Sequence, residues 1–137
     1  MPLQTVLFAC VHNAGRSQMA AAWFNQLADP AKARAVSAGT RPRTQVHPEV
    51  IAAMREVGID LSGAPTTRLT PEVARQAHVL VTMGCGDECP FVPGAERDDW
   101  PLEDPKGQSI EVVRTIRDEV RDRVRAMIDR KGWAATT

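Results

Sequence analysis

Val6-Leu7-Phe8-Ala9-Cys10-Val11-His12-Asn13-Ala14-Gly15-Arg16-Ser17 is the stretch that decides the fold. An apolar run with the character of a buried strand ends at a cysteine, five residues separate that cysteine from an arginine, and a serine-started amphipathic pattern follows. A loop between a strand and a helix N-terminus aims several backbone N–H groups at one point, where the helix dipole adds partial positive charge. A tetrahedral oxyanion suits such a cradle. Arg16 supplies a planar, permanently charged fork for two of its oxygens. The same field favours the nucleophilic thiolate form of Cys10, and the Ser17 hydroxyl can donate a hydrogen bond to it. Gly15 is expected to let the loop turn tightly against the ligand. A free cysteine at a strand end is most often only a small buried hydrophobe. The flanking strand and helix patterns raise the catalytic reading above that one.

Working outward, strands and helices alternate. Leu3 to Ala9 reads as the first strand and Ser17 to Ala28 as a helix, with Ala20, Trp23, Phe24 and Leu27 at helical spacing. Ala33 to Ser37 is a second short strand. Pro48 to Val57 is a second helix, with Val50, Met54 and Val57 inward and Gly58 placed to end it. Thr70-Pro71-Glu72 opens a short third helix as N-cap and N1 proline. His78 to Met83 is a third strand, Arg97 to Asp99 a brief fourth, and Ser109 to Arg130 a long final helix. That helix carries Val113, Ile116, Val120, Val124 and Met127 on one face and a charge run, read as solvated, on the other. This order implies right-handed crossovers and an α/β three-layer sandwich, a four-stranded parallel sheet flanked by helices. Ligands bind at the carboxyl ends of such strands, so the loop holding Cys10 and the loop holding Cys85 and Cys89 can meet at one edge.

Composition narrows the function. A chain of 137 residues is one domain (1–137) that can bury a core without metals or disulfides. Its formal net charge is zero, which advertises no basic face for nucleic acid. No stretch is long and apolar enough for a membrane span, and the N-terminus lacks signal-peptide character, so a cytoplasmic protein is expected. A monomer is the default for so compact a domain. Three cysteines, an odd count, argue against a disulfide framework and for nucleophilic or redox chemistry. Cys85 and Cys89 could also be half of a metal site, but a lone C-x3-C with no second pair is weak as a zinc signature, and no metal or other cofactor is expected.

Taken together, the early C-x5-R-S motif, Ser37-Ala38-Gly39-Thr40 after the second strand and Asp104-Pro105 ahead of the last helix resemble the low-molecular-weight protein tyrosine phosphatase fold. Val81-Thr82-Met83-Gly84-Cys85-Gly86-Asp87-Glu88-Cys89-Pro90 and Trp100-Pro101-Leu102-Glu103-Asp104-Pro105-Lys106-Gly107 resemble its arsenate reductase branch. The resemblance spans essentially the whole chain. It implies that Cys10 is the nucleophile, that Val11, His12, Asn13, Ala14, Gly15, Arg16 and Ser17 bind an arsenate- or phosphate-like oxyanion, and that Asp104 is the acid/base. It implies that Asn13 holds the loop's shape by hydrogen bonds toward the segment around Ser37. A phosphatase needs one cysteine, whereas a reductase must deliver two electrons. The resemblance therefore implies a relay in which Cys85 attacks Cys10, Cys89 attacks Cys85, and thioredoxin reduces the final disulfide. Relatives that use mycothiol, or glutathione with glutaredoxin, leave other reductants open. Position 21 is acidic in relatives with a potassium site and is Ala21 here, so no strong potassium dependence is expected.

The remaining candidates divide between site and scaffold. Lys106-Gly107, in place of aromatic residues after Asp-Pro, and the absence of any tyrosine argue against a phosphotyrosine cleft. Trp23, Phe24 and Trp100 read as core, and Trp133 as part of a mobile tail. His12 tunes the thiolate or points to solvent, His47 starts a helix, and His78 is structural. Arg41 and Arg43 rim the site or are solvated. A module that binds oxyanions or senses thiol redox state without turnover is the non-enzymatic alternative.

Overall fold

The computed structural model describes residues 3–84 and 92–135. Four strands, β1 (Gln4–Cys10), β2 (Ala33–Gly39), β3 (Val79–Thr82) and β4 (Glu96–Asp99), form one sheet in the order β2-β1-β3-β4 with every pairing parallel. Helices α1 (Arg16–Leu27), α2 (Pro48–Arg55), α3 (Pro71–Arg75) and α4 (Ile110–Lys131) connect and cover it. This is the expected three-layer α/β architecture.

The period-2 alternation of β1 sorts its side chains between two apolar clusters. Val6, Phe8 and Cys10 join the larger one with Met19, Trp23 and Phe24 of α1, Met54 of α2 and Val113, Val120 and Val124 of α4. Leu7 and Ala9 join the smaller, where Ala74 of α3 and Leu80 of β3 close the other face. Because β1 is covered on both faces, its sequence is continuously apolar instead of alternating. The alternation also commits Cys10 to the face carrying α1, beneath the start of that helix.

Caps fall where the sequence places them. The Thr70 hydroxyl accepts from Val73 N at 3.2 Å and Ser109 Oγ from Val112 N at 3.3 Å. His78 is structural, its Nδ1 accepting the Thr5 amide at 3.0 Å. Trp100 is core, 4% exposed and 5.5 Å from the Phe8 ring.

Three expectations are corrected. β2 runs two residues past Ser37 to Gly39, because Ala38 and Gly39 continue the ladder opposite Ala9 and Cys10. Trp133 is not in a loose tail. Gly132, at φ 74°, turns the chain back at the end of α4, and the Trp133 indole packs edge-on against Phe24 at 5.9 Å while the Trp133 backbone carbonyl accepts from Asp29 N at 2.8 Å. The charged face of α4 is not wholly solvated either. Arg117 is buried and donates to Ala53 O and to Glu56 Oε1, each at 2.9 Å, tying α4 to α2.

Candidate active site

The loop from Cys10 to Arg16 joins the carboxyl end of β1 to the N-terminus of α1. Its carbonyls face outward. Cys10 O accepts from Thr40 N at 3.3 Å, Val11 O from Arg41 N at 2.8 Å, His12 O from Arg43 N at 2.9 Å, and Ala14 O from His47 N at 2.9 Å. Asn13 O accepts from Gln18 Nε2 at 3.1 Å. In a trans peptide the N–H points opposite to the C=O that precedes it. Carbonyls drawn outward from Cys10 to Ala14 therefore turn the amides of Val11 to Gly15 toward the loop's interior. With the start of α1 behind them they line a concavity with N–H groups, an arrangement suited to an anion.

Cys10, 2% exposed, places Sγ 2.9 Å from Ser17 Oγ. Asn13 Nδ2, which can only donate, gives a hydrogen bond to the same Oγ at 2.8 Å. The hydroxyl thus accepts from Asn13 and keeps its own hydrogen for sulfur, an arrangement that stabilises a thiolate.

Asn13 anchors elsewhere than expected. Its Oδ1 accepts from Thr67 N at 2.8 Å, so the tie runs to the 65–68 segment and not to Ser37. Among the described residues Asn13 is also the one non-glycine with positive φ, 49°. The left-handed position of the loop is therefore Asn13, two residues before Gly15. Gly15, at φ −144° and ψ −93°, is neither helical nor extended, and it also serves through its missing side chain: a Cβ there would stand 2.8 Å from Pro105 Cγ. The absence of that carbon lets the Asp104-Pro105 turn close onto the loop.

Arg16, 8% exposed, sends Nη1 to Leu102 O at 3.2 Å, and its Nη2 lies 3.7 Å from Asp104 Oδ2. Asp104 is half-exposed and its Oδ1 accepts from Lys106 N at 3.0 Å, which holds the carboxyl at the mouth beside the guanidinium. His12, Arg41, Pro42 and Arg43 line a cavity of about 280 Å³ at that mouth. Partial burial, reinforced by the Arg43 cation, lowers the pKa of His12; burial likewise lowers that of His47. Both rings therefore favour the neutral form at neutral pH.

The structure thus brings together Cys10, the loop, Arg16, Ser17 and Asp104. Cys85 and Cys89 lie outside the described residues. Sequence reading missed Gln18, the 40–47 strap and Thr67 as supports. Gln18 is detectable as a polar residue on the apolar side of α1, whereas the strap acts through backbone amides that leave no side-chain signal. Among the described residues no group of three metal-ligating side chains converges, and no helix is long and apolar enough to cross a membrane.

The sequence model of the low molecular weight phosphotyrosine protein phosphatase family matches residues 5–132. The chain is 40% identical to a glutaredoxin arsenate reductase of Synechocystis over 92% of its own length and 97% of that protein. It is 32% identical to arsenate reductase 2 of Staphylococcus saprophyticus over 94% of its own length and 99% of that protein. Among solved structures, a thioredoxin-dependent arsenate reductase of Corynebacterium glutamicum superposes with a TM-score of 0.80 at 39% identity, over 93% of this chain and 61% of that one. An arginine phosphatase of Geobacillus stearothermophilus superposes with a TM-score of 0.76 at 25% identity, over 94% of this chain and 93% of that one.

Proposed function

Because this chain belongs to the low molecular weight phosphotyrosine protein phosphatase family, we propose that it is an arsenate reductase working through a three-thiol relay. The observation that carries the reading is the hydrogen-bonded Cys10 thiol seated at an amide-lined loop in a chain that also holds Cys85 and Cys89. The names of the relatives point the same way.

The proposed steps combine the Cys10 site with the relay that the family resemblance implies. Arsenate is held by the loop amides and the Arg16 fork. The Cys10 thiolate attacks arsenic, and an oxygen leaves as water with a proton from Asp104. The Cys85 thiolate then attacks Sγ of Cys10. A sulfur–sulfur bond forms, the sulfur–arsenic bond breaks with its electron pair on arsenic, and arsenic(V) departs as arsenite. Cys89 attacks Cys85, releasing Cys10 as thiolate and leaving a Cys85–Cys89 disulfide. Thioredoxin reduces that disulfide by exchange, which calls for a reducing compartment such as the cytoplasm. One relative is named for glutaredoxin and another for thioredoxin, so the donor is the part of the proposal that assay must decide.

The phosphatase reading is favoured by the arginine phosphatase among the structural neighbours and by the match of residues 5–132 to a phosphatase family. A single experiment separates the readings. NADPH oxidation is followed with arsenate, thioredoxin and thioredoxin reductase, in parallel with glutathione, glutaredoxin and glutathione reductase, and p-nitrophenyl phosphate hydrolysis is measured alongside. Arsenate-dependent oxidation that disappears in Cys10→Ser supports the reductase, and the system that works names the donor. Hydrolysis without oxidation makes the protein a phosphatase, and neither activity favours a binding module.

A further inference from the structure

Gly84 lies two residues past the end of β3, after Met83, whose N donates to Ala9 O at 2.8 Å and extends the ladder by one residue. Its backbone sits at φ +92°, a conformation L side chains rarely adopt. The space a side chain would take is already occupied. A Cβ built on Gly84 would fall inside contact distance of Arg16 Nη1, 3.3 Å from Cζ and 3.8 Å from Nη2. The atoms it would meet are the tip of the Arg16 side chain, so the guanidinium is the group that must shift. Arg16 is buried, 8% exposed, and the same Nη1 donates to Leu102 O at 3.2 Å, so a shift of the fork would cost that hydrogen bond. Other glycines with positive φ differ: a Cβ at Gly58, φ +85°, would meet nothing within 4 Å.

We propose that Gly84 is a positioning residue for oxyanion capture, its bare backbone forming the seat on which the Arg16 guanidinium rests. The proposal rests on the reading of Arg16 as an anion ligand and adds a residue that acts only through it. A bidentate fork holds an anion well only in one plane, so a side chain at position 84 displaces the fork and costs binding more than folding. Gly84 also immediately precedes Cys85.

The test uses inorganic phosphate as probe, titrated calorimetrically, so that it does not depend on arsenate turnover. Gly84→Ala is expected to weaken phosphate binding at least tenfold and to raise KM for arsenate more than it lowers kcat. Gly84→Asn tolerates positive φ but still carries a Cβ, and should lose phosphate affinity to a similar degree while remaining folded by circular dichroism. Gly58→Ala imposes comparable backbone strain in open space and should leave affinity within twofold. Against an Arg16→Lys background the Gly84→Ala penalty should largely vanish, because the fork that clashes is gone. Retained phosphate affinity in Gly84→Asn, or a Gly84→Ala penalty undiminished in the Arg16→Lys background, would overturn the proposal. Wild-type protein that binds phosphate but reduces no arsenate would overturn the reductase reading and leave this proposal standing; wild-type protein that binds no phosphate would overturn this proposal.

Discussion

Asn13 Nδ2 donates to Ser17 Oγ at 2.8 Å, and through that bond fixes which way the serine hydroxyl points, toward Cys10 Sγ 2.9 Å away. One amide thus orients the hydroxyl that faces the Cys10 sulfur, while its Oδ1 pins the loop to Thr67.

Removing the hydroxyl is therefore expected to silence the thiol without unfolding the protein. A hydrogen bond to a charged group is worth about 1.5–3 kcal/mol. Ser17→Ala should accordingly slow alkylation of Cys10 by iodoacetamide at neutral pH by about tenfold or more. Asn13→Ala should slow it less and also weaken phosphate binding, because it loosens the loop as well as the serine. Unchanged alkylation in Ser17→Ala would remove the hydroxyl from the mechanism.

The contact of Gly15 with Pro105 makes a second prediction. Gly15→Ala places a carbon 2.8 Å from Pro105 Cγ and must push the Asp104 turn outward. Displacing a proton donor by about 1 Å can cost on the order of a hundredfold. The variant should show kcat reduced by about that much, with phosphate affinity changed far less. A loss confined to KM would show that the turn does not carry the acid.

The relay predicts a trapped species. Cys89→Ser should accumulate a Cys10–Cys85 disulfide after one turnover, visible by mass spectrometry of tryptic peptides and reversed by dithiothreitol. Cys85→Ser should give no disulfide involving Cys10 and no multiple turnover. Continued turnover of Cys85→Ser with thioredoxin would end the proposed order of attack.

The bond between α2 and α4 predicts a pH dependence of stability. Hydrogen bonds from Arg114, followed by those from Arg117, hold the Glu56 carboxyl at about 2, below its ordinary value of 4.5. A carboxylate whose folded pKa is depressed binds fewer protons than in the unfolded chain, so its contribution is complete above about 4.5 and lost as pH falls toward 2. Glu56→Gln should therefore melt below wild type at pH 7, and the gap should narrow through that acid window. A gap independent of pH would assign the effect to packing. High salt should weaken the Arg114 half, which is exposed, more than the Arg117 half, which is not.

Much of this was legible in the chain. Continuous apolar runs at Val6–Ala9 and Val79–Val81 marked strands covered on both faces, and Thr70 and Ser109 marked helix starts that the caps reproduce. Trp133 was misread because its ordering depends on Gly132 folding back onto Phe24, a contact between distant parts of the chain. Arg117 was misread because helical periodicity separates charged from apolar faces but does not reveal a carbonyl and carboxylate waiting on a neighbouring helix.

The sequence by itself determined the order of strands and helices, and, through C-x5-R-S, the thiol, the arginine and the loop between them. These are local properties, set by side-chain periodicity and by a spacing short enough to act within one turn of chain. Only the tertiary structure decided what turns that loop into a cradle. The amides of Thr40, Arg41, Arg43 and His47 draw its carbonyls outward, Thr67 anchors Asn13, and Asp104 and Gly84 converge on Arg16 from separate elements. Those partners are remote in sequence and act largely through backbone groups that every residue carries, so they come together only when the sheet places its carboxyl ends side by side.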